Sequence, residues 1–331
     1  MSSRRARAPL GAGQEHPFQE KAVICTSDGL WTLRGRPVRG RPFAGRRVAT
    51  GTATHTRTAV VVDDGEIWEL ARGRWRHVAT ADRRVHSLLY TRDHALLVAS
   101  ADGGIGRLSG HDVRWSAQVD RLRVLGDWRT PWGGTPDMHS LTRAGNGNIY
   151  ACVHAGWMVR SDDDGSSWVP LRDGLAADVH DVEPHPLEPH TVLVATAQGV
   201  YVSEDGGDRF ERRWDSAALQ YLRACAVFGT GDVWLVSAHD HAKRSARAAL
   251  FRSEDRGARW QRARGIPEWG IGHINTITVL DDGTALVLSP GRAFSSHDQG
   301  WSWQQLDLEL PRRCHDPKLH FVDPVIARRT Q

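Results

Sequence analysis

One turn signature recurs four times in the C-terminal half of this 331-residue chain, and few folds accommodate it. The signature is Ser-x-Asp-x-Gly-x-x-aromatic. It occupies Ser161-Asp163-Gly165-Trp168, Ser203-Asp205-Gly207-Phe210, Ser253-Asp255-Gly257-Trp260 and Ser296-Asp298-Gly300-Trp303. The serines are 42, 50 and 43 residues apart. A unit of roughly forty residues repeated along one chain marks a propeller or a solenoid. Within each copy, Asp can accept hydrogen bonds from the amides of its own turn and Gly supplies a positive φ. The aromatic side chain is expected to pack between neighbouring sheets.

Alternating short strands extend the pattern towards the N-terminus. Segments 85–90, 95–99 and 104–108 read as strands followed by a degraded copy at 109–115, where Ser109 and Trp115 keep their places but Asp and Gly do not. Segments 58–62 and 66–70 flank Asp63-Asp64-Gly65, and 22–26 and 30–33 flank Ser27-Asp28-Gly29. Seven units follow, near 21–45, 46–82, 83–120, 136–175, 177–217, 219–265 and 271–308. The stretch 312–322 is β-compatible and is expected to supply the inner strand of the first unit, because ring closure removes an open sheet edge. The expected fold class is all-β, a seven-bladed β-propeller over 21–322 with tails at 1–20 and 323–331.

The repeated turn resembles the Asp-box, or BNR repeat, of sialidase-like and photosystem-assembly-factor-like β-propellers. That resemblance implies boxes between the third and fourth strands of each blade, with a structural and not a catalytic role. The segment from Trp132 to Leu171 is most similar to bacterial proteins known only as BNR-like repeat proteins, a likeness that supplies no function.

Composition narrows the functional classes. Hydrophobic content of 40% and charged content of 25% suit a globular chain and exclude wholesale disorder. No apolar run is long enough for a membrane helix, and the N-terminus has no apolar core of a secretory signal, so a cytoplasmic protein without membrane partners is expected. Cys25, Cys152, Cys225 and Cys314 lie far apart without a CxxC, which argues against a disulfide framework or thiolate zinc site. The net charge of +4 is an N-terminal feature: residues 1–47 hold ten Lys/Arg and three Asp/Glu. Arg34, Arg36, Arg39, Arg41, Arg46 and Arg47 are read as a solvated loop in preference to a nucleic-acid arm.

Counting back from each box serine to the inner strand brings histidines into one frame. Ser161 to His139 is 22 residues; Ser203 to His180, Ser296 to His273 and Ser109 to His86 are each 23. In the sixth unit Ser253 minus 30 gives Arg223, the extra length fitting an insertion at 239–248. A slip of two residues would put Asn275 in place of His273 without changing the side-chain face. His154 and His239-Asp240-His241 fall in loops of the same face, whereas His55 falls at the far turn.

Taken singly, a histidine at such a position is a packing residue. Together, imidazoles from several blades converging on one axis suggest a metal centre. The expected ligands are His139, His154 and His180, with His86 and His273 next. Nitrogen-rich ligation favours copper or iron over magnesium or calcium, and zinc also fits. Arg223 could hold a substrate anion; Asp181, Glu183 and Asp240 are candidate bases. Trp128, Trp132, Trp157 and Trp269 could wall an apolar pocket.

The favoured function is thus a metal-dependent enzyme, an oxidoreductase first, acting on a small molecule. A non-catalytic module with a protein partner is the alternative. A sialidase-type glycosidase ranks third, because only Tyr221 of the four tyrosines lies near an inner-strand start and no Arg-Ile-Pro signature is present. No nucleophile elbow, P-loop or dinucleotide fingerprint occurs.

Overall fold

Each of the four signature turns closes the same hydrogen-bonded ring. The Ser Oγ accepts from the Gly amide four residues on at 2.8, 2.7, 2.9 and 2.9 Å in chain order. It donates to the Asp Oδ1 at 2.9, 2.7, 2.9 and 2.8 Å. That Asp accepts from the amide four residues further on, at Ser167, Arg209, Arg259 and Ser302. Trp168, Phe210 and Trp303 are buried, as expected. Trp260 is only half-buried; it lies 5.7 Å from Trp214 and donates from Nε1 to the Arg213 carbonyl.

The residue after each box Asp presents its carbonyl to the preceding blade, where an arginine takes it. Arg107 Nη2 donates to Asp164 O at 2.9 Å, Arg160 Nη1 to Gly206 O at 2.7 Å, Arg213 Nη1 to Arg256 O at 3.1 Å and Arg252 Nε to Gln299 O at 2.8 Å. Every junction from the third blade to the seventh carries this bracket.

The computed structural model describes residues 22–54, 56–126, 128–130, 133–214, 216, 218–240, 247–308, 310 and 318–321. These form six four-stranded sheets and one three-stranded sheet, all antiparallel. Strands Val48–Ala53, Val85–Tyr90, Met138–Arg143, Val179–Pro184, Tyr221–Val227 and Thr276–Val279 each begin a sheet and contact one another in succession. They are the inner strands of blades two to seven. Strand Lys318–Phe321 pairs with Ala22–Thr26 and contacts the inner strands on both sides, in the innermost place of the first blade. That blade has no fourth strand among the described residues; a single bridge joins Trp31 to Pro37.

Two segments differ from the sequence reading. The degraded box at 109–115 is a tight hairpin, in which Ser109 pairs directly with Asp112 across Gly110-His111, with Gly110 at φ 64°. Residues 117–120, assigned to the third blade, open a helix, Ala117–Leu125. Ser116 caps it, accepting from the Val119 amide at 3.3 Å, and Val119 is its buried residue. Among the described residues no helix is long and apolar enough to cross a membrane. In the arginine-rich connection, Arg46 pairs with Asp63 and Glu66 at 2.7 and 2.8 Å, and Arg47 pairs with Asp64. The tails 1–20 and 323–331, His55, Trp132, His241 and Cys314 lie outside the described residues.

The box glycines are constrained twice. Gly300 has φ 82°, and a Cβ there would lie 2.6 Å from Leu235 Cδ2. Gly270 has φ 77° but nothing within 4 Å. Gly270→Ala should cost about 1 kcal/mol for the left-handed backbone, and Gly300→Ala about 1–3 kcal/mol more for the overpacking. Urea unfolding midpoints of the two variants against the parent check this order.

Candidate metal centre at the channel mouth

Five inner strands share an irregularity at their starts. The register shifts between Val48 and Thr50, Val85 and Ser87, Met138 and Ser140, and Val179 and Asp181, which leaves Ala49, His86, His139 and His180 as extra residues. In the sixth blade the shift falls between Leu222 and Cys225, so Arg223 and Ala224 together oppose Ser237. A β-bulge leaves one residue out of the ladder and re-aims its side chain. Here each bulge sits at the mouth of the central channel.

The bulged residue completes a triplet. Val48, Val85, Met138, Val179 and Leu222 precede it and are all buried. One position earlier stand Arg47, Arg84, Asp137, Asp178 and Tyr221. In the seventh blade His273-Ile274-Asn275 repeats this polar–apolar–polar order, with Ile274 fully buried. The two polar members straddle an apolar anchor and therefore lie on the same face. The channel they rim holds about 750 Å³ and is lined by Arg47, Arg84, His86, His139, His180 and Arg223 among others.

Two Asp-x-His triplets, from the fourth and fifth blades, bring two carboxylates among the imidazoles. Asp137 Oδ1 lies 2.9 Å from His139 Nε2 and 3.2 Å from His154 Nδ1; its Oδ2 lies 3.8 Å from His86 Nδ1. Asp178 Oδ1 lies 3.1 Å from His154 Nε2 and 3.3 Å from His180 Nε2. Ring centroids step from His86 to His139 at 6.2 Å, to His154 at 5.0 Å, to His180 at 5.6 Å and to Tyr221 at 4.6 Å. Burial opposes charge on His154, but Asp137 and Asp178 on either side overcome it and raise this imidazole to about 9. Burial likewise disfavours ionised Asp137 and Asp178, yet the flanking histidines hold both carboxyls well below their usual range.

Proton placement distinguishes the imidazoles. His180 Nδ1 bonds the Leu222 carbonyl, which can only accept, so a neutral His180 presents a lone pair at Nε2. That lone pair faces the acceptor Asp178 Oδ1 at 3.3 Å. The contact needs a second proton on the ring or a cation shared between the two atoms. His239 is different: Nδ1 donates to the Tyr221 carbonyl at 3.0 Å and Nε2 accepts from the Ile274 amide at 2.9 Å. It is a sealed structural histidine.

Two sets could hold an ion, His86–Asp137–His139 and His154–Asp178–His180, with the ligand atoms of each set within 4.8 Å of one another. The second is the more buried. With an ion between His154 Nε2, Asp178 Oδ1 and His180 Nε2, the remaining ring nitrogens keep outer partners, Asp137 Oδ1 and Leu222 O. Metal-bound histidines are normally oriented in this way.

The structure therefore brings together His86, His139, His154 and His180 of the expected ligands, but not His273, which precedes its inner strand and packs on His239 at 4.8 Å. The register slips by two there, and Asn275 takes the channel position. Arg223 also lines the channel. Asp181 and Glu183 line it lower down, where burial pushes their carboxyls up to about 7 and about 8. Asp181 accepts from the Cys225 and Val182 amides at 3.1 and 3.0 Å. Asp240 is not among the residues lining this channel; it accepts from the Arg247 amide at 3.2 Å.

No aromatic wall forms from the described tryptophans. Trp128 is buried, Trp157 donates to the Leu175 carbonyl, and Trp269 is 58% exposed. Asp137 and Asp178 were missed by the sequence reading. The signal was present two residues before each histidine, a step that keeps side-chain direction in a strand.

No family model matches the chain. A xyloglucanase from Hypocrea jecorina (strain QM6a) is 25% identical over 237 residues, covering 70% of this chain and 25% of its own length. Among solved structures, an ancestral GH74 enzyme superposes with a TM-score of 0.59 at 13% identity, covering 83% of this chain and 38% of that one. YCF48 from Cyanidioschyzon merolae gives 0.56 at 12% identity, covering 94% and 98%. The chain thus spans only about a quarter of the curated relative it matches. These likenesses establish the β-propeller fold.

Burial lowers His239 to about 3, with smaller contributions in the same direction from His273, Arg223 and His180 and an opposing one from the Tyr221 carbonyl. A depressed imidazole means that the unfolded chain takes up a proton that the folded one refuses. Stability should therefore fall as pH drops below the ordinary value of 6.5 and continue falling towards about 3. His239→Gln, which keeps a donor and an acceptor, should flatten the profile between about pH 6.5 and 4.5 in urea unfolding.

Proposed function

We propose that this propeller is a metal-dependent enzyme that acts on a small molecule at the channel mouth, with His154, Asp178 and His180 as ligands. The carrying observation is the contact of His180 Nε2 with Asp178 Oδ1, which needs a proton or a cation between the two atoms, beside His154 Nε2. Two imidazoles and one carboxylate leave coordination positions open, the donor set of non-haem iron(II) oxygenation centres. This favours iron and oxidative chemistry; copper and zinc fit the same donors. A bound ion would act as a Lewis acid or an O₂-binding centre. His139 stands beside the site, oriented by Asp137, where it can accept or deliver a proton.

A sialidase-type reading is less well supported. Tyr221 and Arg223 share the rim, but Arg47 and Arg84 are both drawn to Asp64. The non-catalytic module remains the reading if the mouth takes no ion.

Elemental analysis of untagged protein should find one transition ion per chain after equilibration with iron(II), copper(II) or zinc. His154→Ala and His180→Ala should each abolish retention while leaving the circular dichroism spectrum unchanged. A folded parent protein that retains none of these ions would overturn the proposal.

A further inference from the structure

The rim cations are not equivalent. Arg46 pairs with Asp63 and Glu66, and Arg47 and Arg84 share Asp64. Arg223 occupies the bulge next to that of His180 and lines the same cavity, yet it forms no ion pair with a carboxylate among the described residues. Its Nη1 donates to Asn275 Oδ1 at 3.3 Å, and its guanidinium lies 5.7 Å from the Tyr221 ring centroid. The Nε is buried and has no hydrogen-bond partner there. Asp181, which lines the same channel, has its oxygens on the Cys225 and Val182 amides.

A guanidinium partly withdrawn from water without a counter-ion carries a desolvation penalty that an incoming anion removes. Its planar fork matches a carboxylate in bidentate geometry. Tyr221 connects this cation to the proposed metal centre: its ring lies 4.6 Å from that of His180 and below the guanidinium. The ring can hold Arg223 by cation–π attraction and restrict its swing.

We infer that the mouth selects a small carboxylate, with Arg223 as the group that binds it. The carboxylate lies on the Arg223 fork, and the adjoining part of the molecule extends over His154, Asp178 and His180. This assignment rests on the metal reading for its chemistry but not for its binding step.

Calorimetry with the full-length chain tests it, in zinc-loaded and chelator-treated forms. The probes are a panel of small mono- and dicarboxylates from acetate to citrate, each matched with its uncharged amide. At least one acid should bind the zinc-loaded protein, its amide should not, and Arg223→Gln should weaken the acid about tenfold or more. Arg223→Lys, which keeps the charge but not the fork, should fall between. Thermal melts verify that both variants fold. If no acid binds, or if Arg223→Gln binds every acid as the parent does, the assignment is overturned. Zinc that fails to bind while acid binding still depends on Arg223 would remove the metal reading and leave the carboxylate subsite standing.

Discussion

The architecture depends on one small ring of hydrogen bonds. A serine hydroxyl, a carboxylate and a glycine amide close on themselves in each box, and the closure turns the next carbonyl outwards. An arginine of the preceding blade takes that carbonyl, so a local turn becomes a joint between sheets. A buried guanidinium is costly unless its donors are satisfied. At Arg252, only 2% exposed, Gln299 O, Glu254 and the Trp301 ring meet that need together. The joints recur at four successive junctions on the face away from the histidines.

At the other end, rigidity is used to a different purpose. Each bulge removes one residue from the ladder while an apolar neighbour is pinned in the core, so the side chains on either side must face the opening. Backbone geometry thus sets where the rim groups point, and residue identity sets only what they are. Charge is then divided by blade: arginines from the second, third and sixth, and Asp-x-His from the fourth and fifth. A cluster of two carboxylates and four imidazoles can persist at such a mouth because every ring has a neighbour that shares or neutralises its charge. His239, close by in space, is kept neutral by burial with both ring nitrogens on backbone groups, and shows how the same residue type is used for structure alone.

Much of this was legible in the sequence. The boxes announced the blades because their chemistry is local and spaced evenly, and the count back from each serine found His86, His139 and His180. The helix at 117–125 lies outside the repeat, and its only signals are local, the Ser116 cap and the helix-compatible run after it. The hairpin at Ser109 kept two residues of the box without its hydrogen bonds, which a pattern match does not reveal. Asp137 and Asp178 carry no signal of their own in the sequence beyond standing two residues before a histidine. Their value comes from neighbours on other blades, and His154 reaches both only through folding. The slip from His273 to Asn275 accompanies a difference in pairing: the last inner strand, Thr276–Val279, has no register shift.

The buried spacer in each triplet has a wider consequence. Because Val, Leu, Ile or Met at that place carries the packing, the two flanking positions can change without disturbing the sheets beneath them. Ala49 and His86 already occupy corresponding bulges in adjacent blades with no visible difference in the scaffold. Such a wheel can be refitted one spoke at a time, its chemistry rewritten at the hub while the joints at the far end stay as they are.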